Sequence, residues 1–292
     1  MSKFIGNYLQ WILLFALMII WGSSFLLMKR ALVYYSAVEL GTLRMVFASA
    51  AMLPFALKKF RKITPRQWLF LALFALLGNL IPAYLFAIAQ TKIESSLAGI
   101  LNALTPVFTL IIGLILFKIR VKWVNILGLF MGLVGAAAII YNSGNGQTEI
   151  HYGYALLVIL ATVFYATNIN LVKFRLSDLR PVQISIYGFS LMFLPMTLFL
   201  FFGTDIQTSV MQPGAAAALI YPATLGLICS AGAIILFNKL IQMTSPIFAS
   251  SVTYLIPIVA MIIGFFDGEH LTVFSVLWVL IIITGVRLVN KK

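Results

Sequence analysis

Trp21-Gly22-Ser23-Ser24-Phe25 is followed by Lys29, eight residues after the tryptophan. The same order of side-chain types returns at Tyr165-Ala166-Thr167-Asn168-Ile169, with Lys173 eight residues after the tyrosine. Two further pairs follow in the same order. Leu53-Pro54 matches Leu194-Pro195, with Ser49 opposite Ser190. Leu104-Thr105-Pro106 matches Leu255-Ile256-Pro257, with Gly113 and Gly264 each seven residues on. Three anchors in register mark an internal repeat with a long period. The spacing divides the chain into units over residues 1–142 and 151–292.

Both units are apolar. Of 292 residues 62% are hydrophobic and 9% charged, against about 25% charged in an ordinary soluble domain. That balance excludes a soluble enzyme, a disordered chain and a disulfide scaffold, and Cys229 is the single cysteine. Spans of about 20 apolar residues cross a bilayer. Ten such stretches can be read, over residues 9–28, 38–57, 66–89, 94–117, 122–141, 152–172, 182–202, 213–240, 246–266 and 271–289. Strand alternation is absent, so the prediction is an all-α integral membrane protein with ten transmembrane helices. The first stretch runs into Lys29 and Arg30 without a small-residue cleavage site and reads as a retained helix.

Five helices per unit is an odd number, so the second unit enters the membrane from the opposite side. The expected architecture is two inverted five-helix repeats, a plan that places a substrate near the midplane between the halves. Assigning connections alternately to two sides sorts the charge. One side holds 16 of the 20 Lys and Arg residues, including Lys58–Lys62, Lys118–Lys122, Lys173 and Arg175. The other holds Lys29, Arg30 and Lys92 with six of the seven acids: Glu39, Glu94, Glu149, Asp205, Asp267 and Glu269. By the positive-inside rule both termini are cytoplasmic. The net charge of +13 is thus explained by topology and contact with anionic lipid, not by nucleic acid.

These motifs resemble the EamA-type proteins of the drug/metabolite transporter superfamily. Trp21-Gly22-Ser23-Ser24-Phe25…Lys29 is similar to the family's helix-1 signature, and Leu43-Arg44-Met45 to its helix-2 region. Ala89…Leu104-Thr105-Pro106, with the proline 17 residues after the alanine, resembles its helix 3–4 pattern. Tyr254-Leu255-Ile256-Pro257 followed by Gly268-Glu269 resembles its ending. In the first unit Lys118 stands where that acid would fall. The resemblance implies ten helices in inverted order, an inner-membrane location and movement of small metabolites, often export of amino acids or related compounds.

Polar residues inside apolar spans are the candidates for contact with a substrate; their alternative role is to hold helices together. Arg44 is the one formal charge well inside a predicted span. It either pairs with a substrate carboxylate or snorkels to Glu39 or Glu94. Trp21 and Tyr165 occupy equivalent mid-helix positions, with Ser24 and Asn168 three residues later on about the same face. Asn79, Tyr84, Asn102, Asn238 and Tyr254 add hydrogen-bonding groups to helices 3, 4, 8 and 9. Pro106 and Pro257 predict nearly symmetric kinks. Gly128, Gly132 and Gly135 form a small-residue face that packs within the chain or in a homodimer; monomer and homodimer both fit.

No nucleotide-binding loop, metal-ligand spacing or catalytic cluster is present in the sequence, and no Asp or Glu lies at mid-span. The expectation is a transporter with no cofactor and no metal, whose partners are a small-molecule substrate and the bilayer. A passive channel or facilitator is the alternative.

Overall fold

A computed structural model of the protein describes residues 2–58, 63–93, 95–143, 151–266 and 273–289. Glu94, Glu149, Asp267, Gly268, Glu269 and the ends of the 58–62 and C-terminal basic clusters lie outside them. The helices, in chain order, are α1 (Ser2–Ala31), α2 (Ala37–Lys58), α3 (Pro65–Ala75), α4 (Ile81–Ala89), α5 (Ser95–Asn102), α6 (Thr105–Phe117), α7 (Trp123–Ser143), α8 (Tyr152–Arg175) and α9 (Pro181–Phe202). Short α10 (Ile206–Ser209), α11 (Ala215–Ala218) and α12 (Ile220–Thr224) follow, then α13 (Ala233–Met243), α14 (Pro246–Ser250), α15 (Val252–Phe266) and α16 (Val273–Val289). No strand occurs among the described residues.

Among the described residues six helical stretches are long and apolar enough to cross a membrane: Tyr8–Ala31, Ala37–Lys58, Pro65–Ala89, Tyr152–Arg175, Pro181–Phe202 and Ala215–Met243. Shorter apolar helices include Thr105–Phe117, Trp123–Gly135, Pro246–Ile256 and Leu277–Val289. Large apolar side chains such as Ile12, Ile19, Leu57, Leu69, Leu156 and Leu194 are exposed on the outer faces of these helices. Water would penalise that surface and hydrocarbon does not, so the chain is a multi-pass membrane protein.

Two of the long stretches are not regular. α3 passes into α4 through a π-helical turn at Leu76–Leu80, and α12 into α13 through another at Leu225–Gly232. A π turn frees a backbone carbonyl that the α pattern would use. In each turn a side chain five residues on takes one up: Asn79 Nδ2 donates to Phe74 O at 3.1 Å and Ser230 Oγ to Leu225 O at 3.0 Å. The apolar runs read from the sequence give no sign of either turn.

The two matched prolines behave differently from the expected symmetric kinks. Pro106 is at the second position of α6, just past an interruption at Ala103–Leu104, where its missing N–H costs no intrahelical bond. The second interruption is at Ser251, six residues before Pro257, which lies within α15. There the hydroxyls of Ser250, Ser251 and Thr253 donate to Ile247 O, Phe248 O and Ser250 O, an arrangement that competes with the regular helix pattern. Nothing is described of the Pro257 side chain.

At the α1–α2 turn, Ser36 and Glu39 cap α2 reciprocally: Ser36 N–H donates to Glu39 Oε2 at 2.8 Å and Glu39 N–H to Ser36 Oγ at 3.2 Å. Ser209 Oγ reaches the other carboxylate oxygen at 2.7 Å, and Tyr35 OH donates to Ala215 O. Burial, and then the Glu39 carboxylate, push the Tyr35 phenol above its usual range, so it remains a donor. These contacts tie the α1–α2 turn to the α9–α11 connection.

The glycine face of α7 is used within the chain. A Cβ on Gly128 would lie 2.6 Å from Gly285 O on α16, and one on Gly132 2.4 Å from the Tyr254 ring on α15. Gly128→Val should therefore lower the melting temperature of the detergent-purified protein, with overpacking costing about 1–3 kcal/mol. Gly153→Ala, where nothing lies within 4 Å, should leave it unchanged. Equal melting of the two variants would contradict this packing.

Candidate functional site

A cavity of about 850 Å³, counted with its open mouth, lies where α1, α2, α8 and the irregular helices meet. Of the residues expected to contact a substrate, Trp21, Ser24, Arg44, Asn79, Asn102, Tyr165 and Asn168 line it. They come from five separate stretches of chain. The interruptions described above supply several of them: the first π turn contributes Gly78 and Asn79, the second Cys229 and Ser230, and the α5–α6 break Asn102 and Thr105.

Arg44 is part-buried and faces this cavity. Its Nε donates to Ser230 Oγ at 2.7 Å. Glu39, the described acid to which it was expected to snorkel, is engaged by Ser36 and Ser209 instead. Glu94, the other expected partner, is outside the described residues. No Asp or Glu is among the described residues that line the cavity. A guanidinium has five N–H donors, and the Ser230 bond uses one.

Two aromatic pairs line the same cavity as the guanidinium. Trp21 packs edge-on against Phe237 with ring centroids 4.9 Å apart, and its indole N–H donates to Cys229 O at 2.9 Å. Tyr165 stacks on Phe86 at 6.0 Å, and Phe86 in turn meets Phe25 at 6.2 Å. Such contacts are worth about 0.5–1.5 kcal/mol beyond area burial and hold the walls in place. Phe86 and Phe237 each stand 20 residues before the matched prolines, Pro106 and Pro257. They are absent from the expected set, although extending the repeat register into helices 3 and 8 would have found them.

Asn168 is 4% exposed, and its Oδ1 has no hydrogen-bond partner among the described residues. A Cβ on Gly78 would stand 2.1 Å from Asn168 Nδ2, so only glycine lets the π turn come this close to the amide. Ser24 Oγ is turned back to Trp21 O at 2.6 Å. Thr105 Oγ1 donates to Asn102 O at 2.7 Å, and Asn102 Oδ1 lies 3.3 Å from the same hydroxyl.

Three expected residues lie elsewhere. The Tyr84 hydroxyl is 2.6 Å from Thr42 Oγ1 and its ring packs on Gly41, so it joins α4 to α2. Asn238 Nδ2 donates to Ser185 Oγ at 3.0 Å, a buried link between α13 and α9. Tyr254 is fully buried against Gly132, with no partner for its hydroxyl among the described residues. All three sit in helix–helix packing, where hydroxyls and amides also satisfy apolar helix interfaces.

The chain is similar to several known proteins. The family model described as "EamA-like transporter family" matches twice, over residues 9–141 and 153–291. A protein of Escherichia coli named "Uncharacterized inner membrane transporter YedA" is 28% identical over 295 residues, covering 95% of this chain and 89% of its own. Protein PagO of Salmonella typhimurium is 24% identical, over 92% of this chain and 88% of its own. A "Probable terminal-alkyne amino-acid exporter" of Streptantibioticus cattleyicolor is 23% identical, over 93% and 90%. Among solved structures, one crystal structure superposes with a TM-score of 0.72 at 14% identity, over 95% of this chain and 94% of that one, a likeness of fold alone. With matches that together span nearly the whole sequence, the chain belongs to the EamA-like transporter family.

Proposed function

We propose that the protein is a secondary transporter that moves small organic metabolites across the cytoplasmic membrane by alternating access. Its ten helices form two inverted five-helix units, residues 1–142 and 151–292, with both termini in the cytoplasm. The two family matches support the division, because each falls within one unit. Correspondences in the packing support the repeat. Asn79 and Ser230 each stand 27 residues before their matched proline and close their π turns in the same way. Trp21 meets Phe237 as Tyr165 meets Phe86. α1 packs on α15 and α13 as α8 packs on α6 and α4, while α2 and α9, equivalent helices, pack on each other.

The observation that carries the reading is a cavity lined by residues of both units, with one guanidinium and no carboxylate among the described lining residues. A cation inside an apolar wall is costly without a counter-charge. A substrate carboxylate supplies one by forming charge-assisted hydrogen bonds to the free arms of Arg44. Aromatic walls accommodate an apolar body, and Asn168 Oδ1 offers an acceptor for a donor group. Amino acids and related compounds have this chemistry. Export is the favoured direction, as in the name of the Streptantibioticus relative.

Purified protein in proteoliposomes, tested with amino acids, nucleosides and organic cations, should take up an amino-acid-like compound saturably. Preloading the same compound unlabelled inside should stimulate uptake several-fold. Linear flux without stimulation from the opposite side would instead indicate a channel, and no flux for any compound would count against transport.

A further inference from the structure

Lys173, near the end of α8, does not project freely. Its Nζ donates to three carbonyls at the C-terminal end of α13: Ile241 at 3.1 Å, Gln242 at 3.0 Å and Thr244. The last carbonyls of a helix have no intrahelical partner and carry partial negative charge, so an ammonium is well suited to cap them. Beside it, Gln242 Nε2 donates to Leu179 O at 2.8 Å, just beyond α8. At this face α8 and α13 are latched together.

Lys29 occupies the equivalent place in the first unit, eight residues after Trp21 as Lys173 is after Tyr165. It is exposed, with no hydrogen bond or ion pair to any described residue. The helix end that corresponds to the Lys173 acceptors is that of α4. Gln90 and Thr91 stand 16 and 15 residues before Pro106, as Ile241 and Gln242 do before Pro257. Here Gln90 has both side-chain amide atoms buried, and neither has a partner among the described residues. One end of the repeat is capped by its lysine; at the other end the lysine is exposed, the turn after α4 closes on itself through Thr91, Lys92 and Ile93, and the buried Gln90 amide has no partner among the described residues.

We infer that Lys173 and Lys29 are alternating latches. Lys173 on the α13 terminus holds its face of the cavity closed in the conformation seen here. In the opposite conformation Lys173 lets go, and Lys29 caps the carbonyls at the end of α4, closing the other face. The inference rests on the alternating-access reading and adds to it the positioning residues that make each closure. Neither lysine lines the cavity, so both act on the helices and not on the substrate.

A thiol introduced by Ser24→Cys in a Cys229→Ala background reports entry to the cavity. Membrane-impermeant maleimide is applied to right-side-out and inside-out vesicles, with no substrate present. Lys173→Met should raise labelling from the Lys173 face about tenfold, the effect of losing hydrogen bonds to one charged group. Lys173→Arg should restore the original rate. Lys29→Met should leave labelling from that face unchanged and slow exchange. A Lys29→Cys, Thr91→Cys pair in the same background should form a disulfide during turnover and arrest exchange; this measurement does not depend on Lys173 variants folding. Unchanged labelling in Lys173→Met, a shift of the same sense in Lys29→Met, or failure of the pair to cross-link during turnover would overturn the latch. Labelling needs no substrate, so the predicted labelling without any exchange would count against transport and not against the latch.

Discussion

Carbonyls and helix ends released from the regular α pattern inside an apolar protein are the constraint on which this structure depends. In lipid every such group needs an internal partner. The second π turn shows how this builds a site. Ser230 closes the turn onto Leu225 O and accepts from Arg44, while Cys229 O takes the indole N–H of Trp21. One local irregularity thereby connects α1, α2 and α13 around the cavity. In the first π turn Asn79 plays the same part, and Gly78 admits the Asn168 amide.

The same accounting explains several of the polar residues that line the cavity. Asn79, Asn102 and Ser230 stand next to a break in the α pattern and have backbone groups to meet; Ser24, Arg44 and Asn168 reach the cavity from regular helix. Away from the cavity, Tyr84 finds a partner in Thr42 and Asn238 in Ser185. Tyr254 has no such partner among the described residues and is held by packing on Gly132.

Much of this was legible in the chain. Runs of apolar residues set the helices, because hydrocarbon demands length and apolarity and little else. The repeated Trp21 and Tyr165 motifs located two walls of the cavity, since residues with a shared position in each unit meet the same surroundings. The π turns were not legible: a turn that rests on one Asn or Ser side chain leaves no period in the hydropathy. For that reason Ser230 is not among the expected contacts, although it is the partner of Arg44. The interruption at Ser251, where Ser250, Ser251 and Thr253 donate to carbonyls three residues back, was not legible either, because such hydroxyls leave no mark in the apolar run.

Arg44 is where structure and function meet, so its ligand is the decisive measurement. L-amino acids and their carboxamides can be compared by thermal shift of the purified protein, wild type and Arg44→Gln. The account predicts that at least one acid stabilises the wild type while its carboxamide does not, and that Arg44→Gln weakens the acid about tenfold or more, the scale of a charge-assisted pair. Equal stabilisation by acid and carboxamide, or undiminished binding of the acid by Arg44→Gln, would contradict it.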